Sequence, residues 1–155
     1  MIAEKVKDYL DQNRVKYVTI RHSLAYTAQE IAASAHISGR EIAKTVIIRL
    51  DNRMAMAVLP ASKRVSLTEI RRIVGSDTAT IADEVDFKDL FPGCEVGAMP
   101  PFGNLYGLEV FVDPSLTEDD EIAFNAGSHT ELIRMAYDDF ADLVKPRVVS
   151  ITHLS

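Results

Sequence analysis

The sequence predicts an α+β fold in which one mixed β-sheet is flanked by helices. Segments with strand and helix patterns interleave irregularly along the 155 residues, and they form too few strand-helix-strand units for a doubly wound parallel sheet. Hydrophobic residues make up 47% of the chain and charged residues 26%, values typical of a globular domain. This length suffices for one buried core, so we predict a single domain over residues 1–155.

Each predicted element rests on an apolar periodicity or on a residue pattern at one of its ends. Ile2, Val6 and Leu10 recur at helical spacing. Ser66-Leu-Thr-Glu69 and Thr27-Ala-Gln-Glu30 both have the spacing in which a hydroxyl and a carboxylate satisfy free amides at a helix start. Runs of β-branched and apolar residues predict the strands. In chain order, the predicted elements are helix 2–13, strand 15–21, helix 27–35, strand 43–50, strand 54–59, helix 66–74, helix 83–90, strand 108–112, strand 122–125, strand 131–136, helix 137–144 and strand 148–151.

Short connections and proline residues indicate where the predicted strands begin and end. Residues 51–53, Asp-Asn-Arg, form a short polar link that suits a β-hairpin between the strands on either side. Pro60 ends the second strand of that hairpin because proline has no N–H to donate to the ladder. Asp113-Pro114 stops the strand predicted over residues 108–112, and Gly127 lies at a hinge between the two strands that follow.

The overall charge and the single cysteine exclude several classes of protein. A net charge of -6 argues against a broad phosphate-binding surface, so we expect no DNA partner and only local contact with nucleic acid. One cysteine, Cys94, forms neither an internal disulfide nor a cysteine metal cluster, which suits a reducing compartment. The N-terminus lacks the apolar core of a signal peptide, and no apolar run approaches the ~20 residues of a membrane span. We therefore predict a cytoplasmic protein without metal or cofactor.

Lys44 is the most informative residue of the chain. It places one ammonium within the largely apolar, β-branched stretch from Glu41 to Leu50. Burying an unpaired ammonium is unfavourable enough to force deprotonation, so a lysine in such a run indicates a function. It could stabilise a carbonyl oxygen that gains charge, or hold a phosphate as a point charge. The structural alternative is a strand-edge lysine whose ammonium reaches solvent.

Two further segments carry residues suited to a binding site. The loop Gly97-Ala-Met-Pro-Pro-Phe-Gly103 can bring backbone amides close to a ligand, because glycine has no Cβ and tolerates positive φ. The hinge Asn125-Ala-Gly-Ser-His-Thr130 combines hydroxyls with an imidazole. Glycine, proline and small polar residues also form ordinary turns, so each segment has a structural explanation as well.

These segments, in this order and separation, resemble the YbaK/ProX family of aminoacyl-tRNA deacylases, free-standing relatives of the editing domain in bacterial prolyl-tRNA synthetases. The likeness runs over nearly the whole chain. The matching residues are His22, Tyr26-Thr-Ala-Gln-Glu30, Ala43-Lys-Thr-Val46, Gly97 to Pro100, Gly103 and Gly127.

The resemblance implies a YbaK-like fold with a partly barrel-like sheet, and a pocket that hydrolyses the ester of a wrongly charged tRNA. Lys44 matches the pocket lysine of the family. Gly97 matches the glycine of its Gly-x-x-x-Pro loop, and Pro100 and Pro101 both remain candidates for the proline. We therefore predict these four as catalytic residues. The implied partners are the acceptor end of mischarged tRNA and an aminoacyl-tRNA synthetase, and the resemblance suggests alanine or cysteine on tRNA-Pro.

The predicted substrate-binding residues surround these four in the sequence. Met99 and Phe102 are expected to wall a small apolar pocket because the loop fixes them, and His22 ends a strand at a position open to a pocket. The hinge hydroxyls could bind an α-ammonium or a ribose. The full predicted set is His22, Tyr26, Thr45, Met99, Phe102, Gly103, Gly127, Ser128 and His129.

Two other functions remain open from the sequence. The same pocket could bind an amino acid, a nucleotide or a tRNA end without hydrolysing it. Alternatively, Cys94 with His22 or His129 could form a nucleophilic pair, which requires the thiol within hydrogen-bond reach of the imidazole. A single cysteine among apolar neighbours is more often a packing residue, so we expect hydrolysis without a covalent intermediate.

Overall fold

The computed structural model describes residues 4–21, 42–91, 94 and 98–153. Within them, the α-helices are α1 (Glu4–Gln12), α2 (Leu67–Val74), α3 (Glu84–Phe87) and α4 (Tyr137–Val144). The strands are β1 (Tyr17–Arg21), β2 (Ile42–Leu50), β3 (Arg53–Pro60), β4 (Arg64–Val65), β5 (Ala79–Ile81), β6 (Glu109–Val112), β7 (Glu121–Asn125), β8 (Glu131–Ala136), β9 (Arg147–Val148) and β10 (Thr152–His153). Three 3₁₀ helices cover Lys88–Leu90, Gly103–Tyr106 and Pro114–Glu118.

One large sheet organises the structure, and its strand order is β1-β8-β7-β2-β3-β6-β9, with β5 also paired to β2. The pairs β1/β8, β7/β8, β2/β3 and β2/β5 are antiparallel, whereas β2/β7, β3/β6 and β6/β9 are parallel. A separate two-stranded ladder joins β4 and β10. This mixed sheet with flanking helices confirms the predicted α+β class.

The local patterns in the sequence located most of these elements. The predicted hairpin forms with a continuous register from Ala43 opposite Pro60 to Leu50 opposite Arg53. Helix α2 begins as its capping pattern predicted, because the Ser66 hydroxyl accepts a hydrogen bond from the Glu69 amide at 3.3 Å. The predicted bounds of β8 and α4 agree with the structure. The helix predicted for residues 27–35 lies outside the described residues.

Two predicted elements require correction. The helix expected over residues 83–90 is a single α-turn, α3, followed by a 3₁₀ turn. The prediction of one strand over residues 148–151 is wrong, because this segment passes from the large sheet to the two-stranded ladder. The Val149 amide donates to the Val112 carbonyl at 3.1 Å, and the Ile151 carbonyl accepts from the Ser66 amide at 2.6 Å. The chain therefore pairs on either side of this crossing, as β9 and β10.

Alternate side chains of the large sheet enter two different cores. On one face, Ala43 and Ile47 of β2 join a core with residues of α1 and α4. On the other face, Ile48 and Leu50 of the same strand join a core with Ile70 of α2. Because successive side chains of a strand point to opposite faces, this assignment fixes the direction of every side chain along β2.

Candidate functional site

Among the strands that the structure describes, the large sheet opens along one edge of β2. One edge of this strand is paired with β3 along its length. The opposite edge pairs with β7 at Ile42 and Ala43, and with β5 from Ile48 to Leu50. Residues 44–47 lie between the two partners, where β7 has ended and β5 has not begun. Diverging strand ends of this kind form the crevices in which α/β sheets bind ligands.

A backbone group of β2 faces this opening. The Ile47 carbonyl accepts a hydrogen bond from the Ala82 amide at 2.9 Å on this edge. Alternate residues of a strand direct their backbone groups to the same edge, so the N–H and C=O of Thr45 also point into the opening. Thr45 was predicted to bind substrate. Its backbone N–H and C=O are the groups that point toward the crevice.

Lys44 lies at this opening, on the sheet face that carries Ile48 and the α2 core. Its side chain is half-buried, and its ammonium donates to the Ala61 carbonyl at 3.5 Å. Burial lowers the pKa of Lys44 from its ordinary value of 10.5, and the positive charge of Arg64 lowers it further. Of the described residues, none forms a carboxylate ion pair with Lys44. Its charge is thus available to an anionic group of a ligand.

Asn125 is the neighbour of Lys44 across the β2/β7 ladder. Ala43 pairs with Phe124 in parallel register, so the next residues of the two strands, Lys44 and Asn125, lie side by side on the same face. The Oδ1 atom of Asn125 is buried and accepts no hydrogen bond in the described part of the structure. An unsatisfied buried acceptor costs about 1–3 kcal/mol, so a donor from a ligand would stabilise this position.

Sequence reasoning did not single out Asn125 as a functional residue. It treated this residue only as the start of the polar hinge. The local indication is a polar side chain placed directly after the buried run Ile122 to Phe124. The decisive fact is the parallel pairing of β7 with β2, which joins segments some 80 residues apart and leaves no local pattern.

The glycine-proline loop lies on the other side of the sheet from the Lys44 ammonium. Met99 and Phe102 belong to the core on the α1 and α4 face, and Phe102 has 0% of its surface exposed. Its ring lies 5.5 Å from those of Phe124 and Phe140, so we assign Phe102 to the core. Pro100 and Pro101 are both buried, which does not distinguish between them, and Gly97 lies outside the described residues.

Gly103 has a packing role in this loop. A Cβ built on it would lie 2.7 Å from Cγ2 of Val110 and 3.1 Å from the Leu108 carbonyl oxygen. A Cβ contact of 2.7 Å is shorter than real Cβ atoms show, so any other residue here would force the loop away from β6. The residue that the sequence predicted to bind substrate is therefore explained by loop packing.

The loop supports the turn between β7 and β8. The Gly127 amide donates to the Ala98 carbonyl at 2.9 Å, which joins the glycine-proline loop to the polar hinge. Gly127 has a φ of 89°, a conformation that favours glycine. Because Asn125 is two residues before Gly127, this contact fixes the end of β7 beside Lys44.

The two hydroxyl side chains of the β7–β8 turn contact each other. The Ser128 hydroxyl accepts from the Thr130 amide at 3.2 Å and lies 3.0 Å from the Thr130 hydroxyl. Ser128 and His129 are 1% and 5% exposed. This geometry favours the turn-forming explanation for the two hydroxyls. The other two predicted binding residues near the N-terminus, His22 and Tyr26, lie outside the described residues.

The alternative chemistries find little support in the described ranges. Cys94 is half-buried and packs against the core on the α1 face, and burial raises the pKa of its thiol, which disfavours the nucleophilic thiolate. Among residues 4–21, 42–91, 94 and 98–153, no group of three His, Cys, Asp or Glu side chains is placed to hold a metal ion. None of the helices described could cross a membrane.

Comparison with known proteins identifies the family. A sequence model of the aminoacyl-tRNA editing domain matches residues 22–143. The chain belongs to the aminoacyl-tRNA editing domain family. This match confirms the resemblance that the motifs around Lys44 and Gly127 indicated.

Curated relatives in this editing family include two proteins called multifunctional Ser/Thr-tRNA deacylase ProXp-y, from Escherichia coli (strain K12) and Escherichia coli O157:H7. Each is 32% identical to this chain over 100 residues. The matched part covers 64% of this chain and 59% of the relative, so it spans less than two thirds of each relative's length.

Solved structures share the editing-domain fold. A crystal structure of a candidate trans-editing enzyme for prolyl tRNA synthetase matches with a TM-score of 0.83 at 21% identity, and covers 98% of this chain and 97% of the other. A structure from a study of epitope backbone grafting onto scaffold proteins matches with a TM-score of 0.84 at 22% identity, covering 98% and 97%. These likenesses confirm the YbaK-like α+β fold.

Proposed function

We propose that this chain is a free-standing aminoacyl-tRNA deacylase that hydrolyses the ester of mischarged tRNA in trans. The observation that carries the proposal is the half-buried, unneutralised ammonium of Lys44 at the opening of the sheet, in a chain of the aminoacyl-tRNA editing family. A role in translation fits the predicted cytoplasmic location. An aminoacyl-tRNA synthetase is the proposed protein partner.

The ester bond of aminoacyl-tRNA is already reactive toward water. Its carbonyl is activated by the α-ammonium and by the neighbouring ribose hydroxyl, so placing a water molecule and stabilising the oxyanion suffice. Lys44 supplies the positive charge for the oxyanion, and the Thr45 N–H points into the same opening. Water is the nucleophile in this proposal, and no covalent intermediate with the chain forms.

Asn125 completes the proposed site by binding the amino group of the substrate. Adjacent strands lie about 4.8 Å apart, so the side chains of Lys44 and Asn125 begin close enough to contact one aminoacyl ester together. The buried Oδ1 of Asn125 can accept a hydrogen bond from the α-ammonium. The carbonyl oxygen then faces Lys44, and the two residues orient the ester between them.

The proposed substrates carry a small amino acid. The name of the curated relatives supports serine or threonine, and the resemblance to prolyl-tRNA editing domains suggests alanine or cysteine on tRNA-Pro. One methylene in an apolar pocket changes binding by only ~1–3 kcal/mol. Discrimination among these four amino acids therefore requires direct measurement.

A panel of charged tRNAs tests the proposal. The protein is incubated with tRNA-Pro carrying alanine, cysteine or proline, and with tRNAs carrying serine or threonine in correct and incorrect pairings. We expect ester loss well above background for at least one mischarged species, while the correctly charged partner is spared. Background rates throughout would overturn the proposal. Saturable binding of a non-hydrolysable aminoacyl-adenosine analogue without hydrolysis would instead indicate a binding module.

Asn125→Leu is expected to lower kcat/KM by roughly 10- to 100-fold without lowering the free energy of unfolding. The loss reflects a hydrogen bond to a charged group, typically about 1.5–3 kcal/mol, whereas an apolar replacement of similar shape removes an unsatisfied buried acceptor. Steady-state kinetics and urea denaturation measure the two quantities. Asn52→Leu, in the exposed turn between β2 and β3, is the matched control. Unchanged kcat/KM in Asn125→Leu would exclude the proposed contact.

Deacylation is expected to fall at alkaline pH. Burial and then Arg64 lower the pKa of Lys44 below 10.5, so the ammonium is lost at a lower pH than in an exposed lysine. The rate above background should therefore decrease as pH rises through this lowered pKa, even though background ester hydrolysis increases. Arg64→Ala removes the repulsion and should move the decrease to higher pH. A catalysed rate that continues to rise across this range would contradict the role of the ammonium.

A further inference from the structure

A buried carboxylate that the proposed mechanism does not use lies directly after β6. Asp113 has 3% of its surface exposed, although aspartate is almost never fully buried without a partner. Its Oδ2 accepts from the Ser115 amide at 3.2 Å and from the Ser115 hydroxyl, and its Oδ1 accepts from the Thr152 hydroxyl at 2.9 Å. Burial alone would raise the pKa of Asp113, but these hydrogen bonds and the charge of Lys63 lower it below 3.8. The carboxylate is therefore charged at neutral pH.

A lysine of the turn between β3 and β4 completes this network. The Lys63 ammonium donates to Oδ2 of Asp113 at 3.5 Å, and 30% of the Lys63 side chain is exposed. An ion pair with a buried carboxylate is screened by solvent less than a pair on the surface. The network thus joins the end of β6 to two other segments, which are the β3–β4 turn through Lys63 and strand β10 through Thr152.

Both segments hold groups that lie beside Lys44. The β3–β4 turn contains Ala61, whose carbonyl accepts from the Lys44 ammonium at 3.5 Å. Strand β10 pairs with β4, which begins at Arg64. Burial lowers the pKa of Lys44, and the charge of Arg64 lowers it further, so Arg64 is close to the ammonium. Asp113 is therefore connected, through the turn and through β10, to a carbonyl and a cation beside Lys44.

We infer that Asp113 is a positioning residue for Lys44, because it fixes the β3–β4 turn and β4, and through them the direction of the ammonium toward the opening of the sheet. The inference rests on the proposed function, in which this ammonium acts on the substrate. Strand β3 separates β6 from β2 in the sheet, so Asp113 acts through the turn and β4. Misplacing a reacting group by about 1 Å can lower a rate by about 10²-fold, so a small shift of the turn suffices.

Asp113→Asn tests the inference while keeping the shape of the side chain. The Thr152 hydroxyl can accept from the new amide, whereas the Lys63 ammonium has only donors. The link to the β3–β4 turn is therefore the one that weakens. With the best substrate of the charged-tRNA panel, we expect kcat to fall by about 10- to 100-fold while KM stays nearly unchanged.

The pKa of Lys44 provides a readout that needs no substrate. It is measured by NMR from the pH titration of the lysine ¹³Cε resonances, with the Lys44 signal assigned by its loss in Lys44→Met. Removing the negative charge of Asp113 would by itself lower the pKa of a nearby lysine. Displacement of the turn and β4 would instead hydrate Lys44 and separate it from Arg64, and both changes raise its pKa toward 10.5. We expect the pKa of Lys44 to rise in Asp113→Asn.

Thr152→Val keeps the test decisive if Asp113→Asn does not fold. It removes one hydrogen bond to Asp113 without changing any charge, so a rise in the pKa of Lys44 reports displacement. Thr152→Ser retains the hydroxyl and should restore both the pKa and kcat. Glu109→Gln is the matched control for the loss of charge, because it removes a carboxylate from the other end of β6, where Glu109 pairs with Arg53 at 3.7 Å. It should leave both readouts unchanged.

Two results would overturn the inference. The first is an unchanged or lowered pKa of Lys44 in Asp113→Asn, or in Thr152→Val if Asp113→Asn does not fold. The second is a loss of stability with kcat unchanged, which would make Asp113 a purely structural residue. The titration does not depend on hydrolysis. A charged-tRNA panel without any substrate would therefore remove the proposed function, while the effect of Asp113 on Lys44 would still be measured.

Discussion

Lys44→Met is expected to reduce the rate of deacylation by about 10²- to 10³-fold, the usual effect of removing one group that stabilises an oxyanion. Methionine keeps most of the length and apolar surface of the lysine stem but has no charge. The loss should appear in kcat, because the carbonyl oxygen becomes negative only as the reaction proceeds. Single-turnover kinetics with the best substrate of the charged-tRNA panel measure this rate directly.

The folding of this variant distinguishes a catalytic lysine from a structural one. Among the residues described, the ammonium of Lys44 makes one long hydrogen bond, to Ala61 at 3.5 Å, and burial disfavours its charge. Replacing it with an apolar side chain should therefore leave the free energy of unfolding unchanged or higher. Lys44→Arg restores a positive charge with a different shape and should recover only part of the rate. Full activity in Lys44→Met would remove Lys44 from the mechanism.

The sequence located Lys44 because its anomaly is local. An ammonium within a β-branched run can be recognised from ten residues, and so can a capping pattern such as Ser66 to Glu69 or a polar hairpin link such as residues 51–53. These features depend on neighbours in the chain. The structure agrees with the sequence at the hairpin and at α2 for this reason.

The partners of Lys44 could not be found in the same way. Asn125 reaches it through the parallel β2/β7 pair, and Arg64 belongs to a strand of two residues. Such a short strand has too few residues for a periodicity, and its position follows from the packing of the whole sheet. Pairing between distant segments is decided by tertiary contacts.

The sequence also could not show on which face of the sheet the glycine-proline loop packs. Met99 and Phe102 are apolar residues in a loop, which is compatible with either a ligand pocket or a core. The structure places them among the residues that pack on α1 and α4, across the sheet from the Lys44 ammonium. While the side chains of the loop are buried in this core, its backbone contacts the β7–β8 turn, where the Ala98 carbonyl accepts a hydrogen bond from the Gly127 amide. The loop therefore positions β7 rather than covering the lysine.

Phe102→Ala is expected to destabilise the fold by about 3–5 kcal/mol, the range for truncating a buried phenylalanine. Its ring meets those of Phe124 and Phe140 at centroid distances of 5.5 Å, and that of Tyr9 at 6.2 Å. These edge-on contacts join α1, β7 and α4 around the loop. Truncation would leave a cavity at the point where these elements meet, and urea denaturation would report the loss.

Matched variants separate this packing role from the substrate contact that the sequence predicted. Val85→Ala shortens an apolar side chain that is 76% exposed, and it should change the free energy of unfolding by less than about 0.5 kcal/mol. Phe102→Leu fills most of the cavity, so it should retain more stability than alanine and should keep the KM of the unaltered protein below its own melting temperature. If Phe102 instead touched the bound amino acid, Phe102→Leu would change KM or amino-acid preference while stability remained near that of Val85→Ala. The full burial of the Phe102 ring favours the first result, since the ring packs between α1, β7 and α4.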